Sequence, residues 1–257
     1  MCRSAGLCGC AQRWPSCSTA AAARARATAS TCSRKAIRRA IRGCIACPAR
    51  RTSIRPSGIS FAADVVGPDV KFHHAKLNVK SGQGSRGFSW HQDIPAWPHT
   101  DFSPVTVGIY IDGCTPEQGP LTVAEGSHEG PLFSMYDDAG NYVVKIRDSD
   151  LGWLNEDSTR RLTGGPGTTL LLNCRAVHGS APNKASAARP LLLPVYSSAD
   201  SFPITPSPIP SPHQGDIVRG RPARFASFDT RPVEMPPDWR GGYKPVWMHK
   251  NKDETPY

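Results

Sequence analysis

The chain has 257 residues, a length that fits one domain of β-barrel size with a substantial core. Its formal net charge of +10 is local, because 12 of its 31 basic residues precede residue 56 and the first acidic residue is Asp64. The remainder carries 19 basic against 21 acidic residues and has no run of 18 apolar residues, so we expect neither a nucleic-acid partner nor a membrane-spanning helix there.

Residues 1–58 are rich in Ala, Arg, Ser and Cys and show no sustained hydrophobic period. Three interpretations are open: a transit peptide, a disordered basic arm that contacts nucleic acid or anionic lipid, and GC-rich DNA read out of frame. We favour the third, because patterned sequence begins abruptly near Ala62. The sequence therefore predicts an atypical segment at 1–58, disordered or an artefact, and one folded domain at 59–257.

The cysteines follow the same division. Seven of the nine lie in the first 47 residues, and only Cys114 and Cys174 lie in the predicted domain. Two isolated cysteines in a domain of this size fit a reducing compartment, and we interpret both as small buried hydrophobic residues. We therefore expect a cytoplasmic location, with a transit peptide at 1–58 as the open alternative.

The rest of the chain consists of short apolar or alternating segments separated by Gly and Pro turns. These patterns predict strands at residues 70–80, 88–93, 105–112, 121–123, 168–173 and 189–196. Residues 130–165 are predicted to be an insertion over the mouth of the fold, and the Pro-rich residues 203–212 an extended loop or lid. Many short strands predict an all-β core, the double-stranded β-helix or jelly roll of cupin-like proteins, with few peripheral helices.

A His-x-Asp pair, His91 and Asp93, lies in the second predicted strand. Residues i and i+2 of a strand point to the same side, so both can offer a ligand atom to one metal ion. A third ligand must come from another strand, and His178 follows the apolar strand 168–173. Two histidines and one carboxylate leave three positions open, the arrangement of non-haem Fe(II) oxygenases. The pattern therefore predicts iron held by these three residues.

An arginine, Arg189, lies 11 residues after His178. Arginine pairs with a carboxylate through two parallel charge-assisted hydrogen bonds, and the hydroxyl of Ser180 can add another. Two open iron positions can accept a keto-acid chelate and the third can accept O2. The combined set predicts an oxygenase that uses Fe(II), 2-oxoglutarate and O2.

Several long stretches make the sequence resemble the phytanoyl-CoA dioxygenase family of Fe(II)/2-oxoglutarate oxygenases. The resemblance covers about residues 64–247, and its motifs are specific. The stretches that carry it are Phe72–Ser81, Phe88–Ile94, Ile111–Glu129, Leu162–Lys184, Arg189–Ser201 and Arg231–Lys244.

The resemblance implies a role for each residue of the site. It assigns iron to His91, Asp93 and His178, and 2-oxoglutarate contacts to Arg189, Ser180 and Lys76. It implies hydroxylation of an unactivated C–H bond in a small organic substrate, with release of succinate and CO2. The carboxylate at position 93 favours hydroxylation, because related halogenases carry a small residue there.

Three rival hypotheses remain beside this one. The chain could be a catalytically impaired remnant of the family, a jelly-roll binding protein without iron, or a nucleic-acid-binding protein that acts through its basic arm. The sequence leaves the substrate and the oligomeric state open.

Four further aromatic or imidazole side chains lie near the metal pair. His73 and His74 are adjacent in a predicted strand, so we expect one to face inward and the other outward, with the inward one a satisfied core histidine. His99 is a candidate for the wall of a substrate cavity. Trp97 is predicted either to be buried in the barrel or to face the substrate.

Overall fold

The computed structural model describes residues 58–237. The predicted segment at 1–58 lies outside the described residues except for its last position, and so does the end of the chain. Within the described range the chain forms one α-helix and nine strands. They are α1 (Gly58–Val66), β1 (Val70–Lys80), β2 (Phe88–His91), β3 (Val105–Tyr110), β4 (Leu121–Ala124), β5 (Thr159–Leu162), β6 (Thr169–Asn173), β7 (His178–Ser180), β8 (Arg189–Ser198) and β9 (Ile217–Arg219).

The strands form two sheets in which every pairing is antiparallel. The five-stranded sheet has the order β6-β3-β8-β1-β9, and the four-stranded sheet has the order β2-β7-β4-β5. Neighbouring strands are far apart in sequence, as expected when the chain winds back and forth between two sheets. The predicted all-β jelly-roll core is confirmed.

Helix α1 covers one face of the five-stranded sheet. Ile59 and Ala62 of the helix are buried there, and Ala62 has no exposed surface. The rings of Phe72 and Tyr196 meet edge to face beneath the helix, with centroids 5.9 Å apart. Strand side chains alternate between faces, so the residues next to these two belong to the opposite face.

A β-bulge at His73 changes that alternation in β1. Phe72 is opposite Tyr196, but the next paired residue is His74, opposite Val195. Because one residue is left out of the register, every later residue of β1 changes face relative to an unbroken strand. The face away from α1 therefore carries a polar row from β1, made of His74, Lys76, Asn78 and Lys80.

The bulge also corrects the expectation for the adjacent histidines. His73 and His74 are both buried, with 3% and 1% of their surface exposed, so the prediction that one faces outward is wrong. Their Nδ1 atoms lie 2.7 Å apart in a hydrogen bond. The rings of His99 and Trp97 pack against His73 at centroid distances of 4.7 and 5.8 Å. Trp97 is 3% exposed, which supports burial in the core.

Other elements depart from the predicted pattern in smaller ways. The second strand ends at His91 instead of continuing to Asp93. The predicted insertion contains an additional strand, β5, which pairs with β4, while residues 203–212 contain no helix or strand. No helix between residues 58 and 237 has the length and apolar character needed to cross a membrane.

The core beneath α1 gives a stability prediction. We expect Phe72→Ala to lower the free energy of unfolding by about 3–5 kcal/mol, because the ring is 2% exposed and its loss leaves a cavity. Phe225→Ala is the matched control, since that ring is 81% exposed and its loss should change stability by less than about 0.5 kcal/mol. Urea unfolding measures both, and equal losses would contradict the described core.

Candidate metal centre and anion pocket

Three potential metal ligands converge between strands of the four-stranded sheet. His91 ends β2 and His178 begins β7, and the two residues are direct partners across the pairing. One ligand atom from each of His91, Asp93 and His178 lies within 4.8 Å of the others. Among residues 58–237 this is the one cluster of three or more such residues close enough to hold a metal ion.

Asp93 reaches the cluster through a turn. Its backbone is helical (φ −76°, ψ −38°) and precedes the 3-10 turn Ile94–Ala96. The backbone N–H groups of Asp93 and Ile94 both donate to the carbonyl of Cys174, at 3.1 and 3.0 Å. The side chains of His91 and Asp93 therefore lie together, as the i, i+2 spacing predicts. The backbone that brings them together is a turn bonded to Cys174, not a continuous strand.

Hydrogen bonds fix the orientation of each ligand. Nδ1–H of His91 donates to the Ser89 carbonyl at 2.7 Å, and Nδ1–H of His178 donates to the Ala176 carbonyl at 3.0 Å. A carbonyl only accepts, so in each neutral ring Nε2 keeps a free lone pair for a metal. The Thr106 hydroxyl donates to Oδ2 of Asp93 at 3.3 Å. These residues fit a divalent metal with nitrogen and oxygen ligands.

The electrostatics favour the metal-binding protonation state. Burial, helped by neighbouring His178, lowers the pKa of His91 to about 3, and burial also lowers the pKa of His178. Burial alone would raise the pKa of Asp93, but the Lys76 ammonium and the two histidines hold it below its usual value. Near neutral pH the cluster therefore offers two neutral imidazoles and one carboxylate.

Arg189 forms the second part of the site. The residue is 2% exposed, and its Nη2 donates to the Gly119 carbonyl at 3.3 Å. Nε and Nη1 are buried without a hydrogen-bond partner among the described residues. A buried cation with two unpaired donors is costly unless an anion completes it. Both unpaired N–H groups can donate to an anion such as a carboxylate.

Ser180 belongs to the same pocket through Lys80, a residue that sequence analysis missed. Lys80 is opposite Arg189 in the β1–β8 pairing, and its side chain is buried. Its Nζ donates to Oγ of Ser180 at 2.7 Å and also to the carbonyls of Ala181 and Gly119. Burial, and then the nearby Arg189, lowers the pKa of Lys80 to about 8. Lys80 could have been found from its spacing, because residues i and i+4 of one strand share a face and Lys76 was already a candidate.

Lys76 lies on the same face, four residues along the strand from Lys80 and opposite Leu193. It is half-buried, and within the described part of the chain its ammonium has no hydrogen-bond or ion-pair partner. It lies close enough to Asp93 to lower the pKa of that carboxyl. The Lys76 ammonium therefore lies near the metal ligands. Its predicted contact with a co-substrate stays a prediction.

Tyr110 forms a wall of the pocket that sequence analysis did not assign. The ring is fully buried, with its centroid 5.8 Å from Cζ of Arg189. Its hydroxyl donates to the Leu162 carbonyl and accepts from the backbone N–H of Leu121, both at 2.9 Å. Both bonds hold the ring in place behind the guanidinium.

Gln92, between the two ligands of the His-x-Asp pair, holds the motif against two other segments. It has no exposed surface. Its Nε2 donates to the carbonyls of Arg175 and Pro131 at 2.7 and 3.1 Å, and its Oε1 accepts from the backbone N–H of Phe133 at 2.9 Å. One side chain thus joins the metal motif to the loop before His178 and to the predicted insertion.

Known proteins share sequence with this chain. The family model described as phytanoyl-CoA dioxygenase (PhyH) matches residues 57–191. A probable alpha-ketoglutarate-dependent hypophosphite dioxygenase of Stutzerimonas stutzeri is 30% identical over 175 residues, 66% of this chain and 60% of the relative. An ectoine dioxygenase of Sphingopyxis alaskensis is 29% identical over 174 residues, 62% of this chain and 57% of the relative.

The chain thus spans about three fifths of the length of these relatives. Among solved structures, an apo non-heme monooxygenase superposes with a TM-score of 0.53 at 19% identity, covering 72% of this chain and 66% of the other. That likeness concerns the fold.

The bonds of Gln92 give a prediction at this site. We expect Gln92→Glu to lower the free energy of unfolding by at least about 2 kcal/mol and to weaken Fe(II) binding, because a carboxylate would face two carbonyls that have lost their donor. Gln83→Glu is the control, since that side chain is exposed and makes no hydrogen bond in the described structure. Denaturant unfolding and anaerobic Fe(II) titration measure both effects. Equal stability and equal Fe(II) affinity in the two variants would show that the hydrogen bonds of Gln92 do not hold the metal motif in place.

Proposed function

This chain belongs to the phytanoyl-CoA dioxygenase (PhyH) family, and on that premise we propose that it is an Fe(II)- and 2-oxoglutarate-dependent dioxygenase of a small organic molecule. One observation carries the proposal. A His-Asp-His cluster with free ligand atoms shares a sheet interior with a buried arginine whose Nε and Nη1 lack partners. A metal ion would use the free ligand atoms of the cluster, and a carboxylate would pair with the arginine.

In this proposal His91, Asp93 and His178 would hold the iron as two imidazoles and one carboxylate, the ligand set of non-haem Fe(II) oxygenases. When bound, Fe(II) would supply the O2 chemistry that couples decarboxylation of 2-oxoglutarate to succinate with oxygenation of the substrate. The backbone acceptors of the two histidines keep each Nε2 directed at the metal, and Thr106 orients the carboxylate.

In this proposal the buried Arg189 guanidinium, with its unpaired donors, binds the distal carboxylate of 2-oxoglutarate, with the Ser180 hydroxyl as a further donor. Lys76 lies between that end and the level of Asp93, so its ammonium is assigned to the keto-acid end near the iron. In this arrangement Arg189 lies at one end of a doubly charged co-substrate and Lys76 at the other.

The finer part of the proposal is hydroxylation of an unactivated C–H bond. A carboxylate at Asp93 supports it, because that ligand occupies the position that a halide would need. The two relatives are named for hypophosphite and for ectoine, which differ in chemistry, so neither name is transferred to this chain. Their common property, a small-molecule substrate, supports the same class here.

Anaerobic addition of Fe(II) and 2-oxoglutarate tests the proposal. We expect a visible metal-to-ligand charge-transfer band in the parent protein and none in His178→Ala. Arg189→Met should keep Fe(II) binding but raise the Kd for 2-oxoglutarate at least about 30-fold, because it removes the buried charge partner.

His213→Ala is the control, since that histidine is exposed and remote in sequence from the site. Absence of the band in a folded parent would favour a jelly-roll binding protein without iron. A band without succinate formation on exposure to O2, with or without candidate substrates, would favour a catalytically impaired remnant.

A further inference from the structure

Lys80 and Arg189 form a pair of adjacent buried cations. They are opposite each other in the β1–β8 pairing, each is 2% exposed, and both donate to the carbonyl of Gly119. Neither has a carboxylate partner within the described residues. Burying two cations side by side is unfavourable without an anion, so this pocket is built for a negative charge.

The two cations differ in the donors they have left. Arg189 keeps two buried nitrogens unpaired. The three protons of Lys80 Nζ are matched by three protein acceptors, Oγ of Ser180 and the carbonyls of Gly119 and Ala181. Lys80 therefore has no donor left for a ligand, whereas Arg189 has two.

The hydrogen bond from Lys80 fixes how Ser180 is used. An ammonium can only donate, so Oγ of Ser180 accepts, and its own proton must point elsewhere. The Ser180 hydroxyl donates to no residue in the described part of the chain. Its free proton therefore remains available to an anion held by Arg189.

Gly119 shows that this arrangement is tightly fitted. Its backbone is left-handed (φ +62°), and a Cβ there would collide with the Ala181 carbonyl and lie 3.0 Å from Lys80 Nζ. Glycine adopts this conformation without steric cost and, having no Cβ, leaves room for the ammonium. The same residue thereby presents its carbonyl to both cations.

We propose that Lys80 is a positioning residue that holds the Ser180 hydroxyl as a hydrogen-bond donor to the distal carboxylate of the co-substrate. The inference rests on the proposed function and deepens it. The carboxylate meets the Arg189 guanidinium and the Ser180 hydroxyl, while Lys80 acts through Ser180 without touching the ligand.

A double-mutant cycle tests this inference. The Fe(II)-loaded parent, Lys80→Met, Ser180→Ala and the double variant are titrated anaerobically with 2-oxoglutarate, and the charge-transfer band gives each Kd. We expect each single change to raise the Kd roughly tenfold, because a hydrogen bond to a charged group is lost or misdirected. The double variant should stay close to Lys80→Met, since both changes remove the same interaction.

A second ligand separates positioning from general damage. 2-Oxovalerate has the same chain length but no distal carboxylate, so its Kd should be unchanged in all three variants. Lys184→Met is the matched control, because that lysine is exposed and its side chain has no partner among the described residues. Equal weakening of both keto acids would mean a merely structural role and would overturn the proposal.

Additive losses, roughly a hundredfold in the double variant, would show that Lys80 binds the carboxylate directly and would also overturn it. If Lys80→Met does not fold, Ser180→Ala alone decides. An unchanged Kd for 2-oxoglutarate there would mean that the hydroxyl is no donor. A folded parent without any band refutes the proposed function, whereas a band that is insensitive to Lys80 and Ser180 refutes this inference only.

Discussion

The bulge at His73 determines which side chains of β1 reach the sandwich interior. Without it, His74, Lys76 and Lys80 would share a face with Phe72, on the side of the sheet that carries α1, and would not reach the sandwich interior. With it, the apolar residues of β1 before the bulge pack against the helix and the later polar residues face the metal cluster. Both the core and the pocket therefore depend on one unpaired residue.

That polar row explains the pairing of a metal centre with an anion pocket in one interior. Its positive end at Lys80 lies opposite Arg189, and its other end at His74 lies opposite Val195, which also pairs with Thr106, the donor to Asp93. Electrostatic interactions between charges in the sandwich interior are strong because water does not screen them. An anion that bridges from Arg189 to a metal cation would neutralise the positive charge at both of these sites.

The sequence was sufficient to predict the jelly roll, because alternation and turn residues are local signals, and the convergence of His91, Asp93 and His178. It could not indicate the bulge, which depends on the register between β1 and β8 and not on composition. The same ignorance of register concealed Lys80: both Lys76 and Lys80 fit the strand pattern, and only pairing with Arg189 distinguishes them. Assignment of site roles to the individual residues rests on the variants proposed above.

Strand β7 joins the two halves of the site through covalent geometry. His178 and Ser180 are separated by one residue, so their Cα atoms lie about 7 Å apart along a single extended strand. In the proposed function His178 supplies Nε2 to the iron, and Ser180 supplies its hydroxyl to the carboxylate held by Arg189. Because the backbone of β7 fixes the spacing of these two residues, the proposed role of Lys80 reduces to setting the direction of the Ser180 hydroxyl.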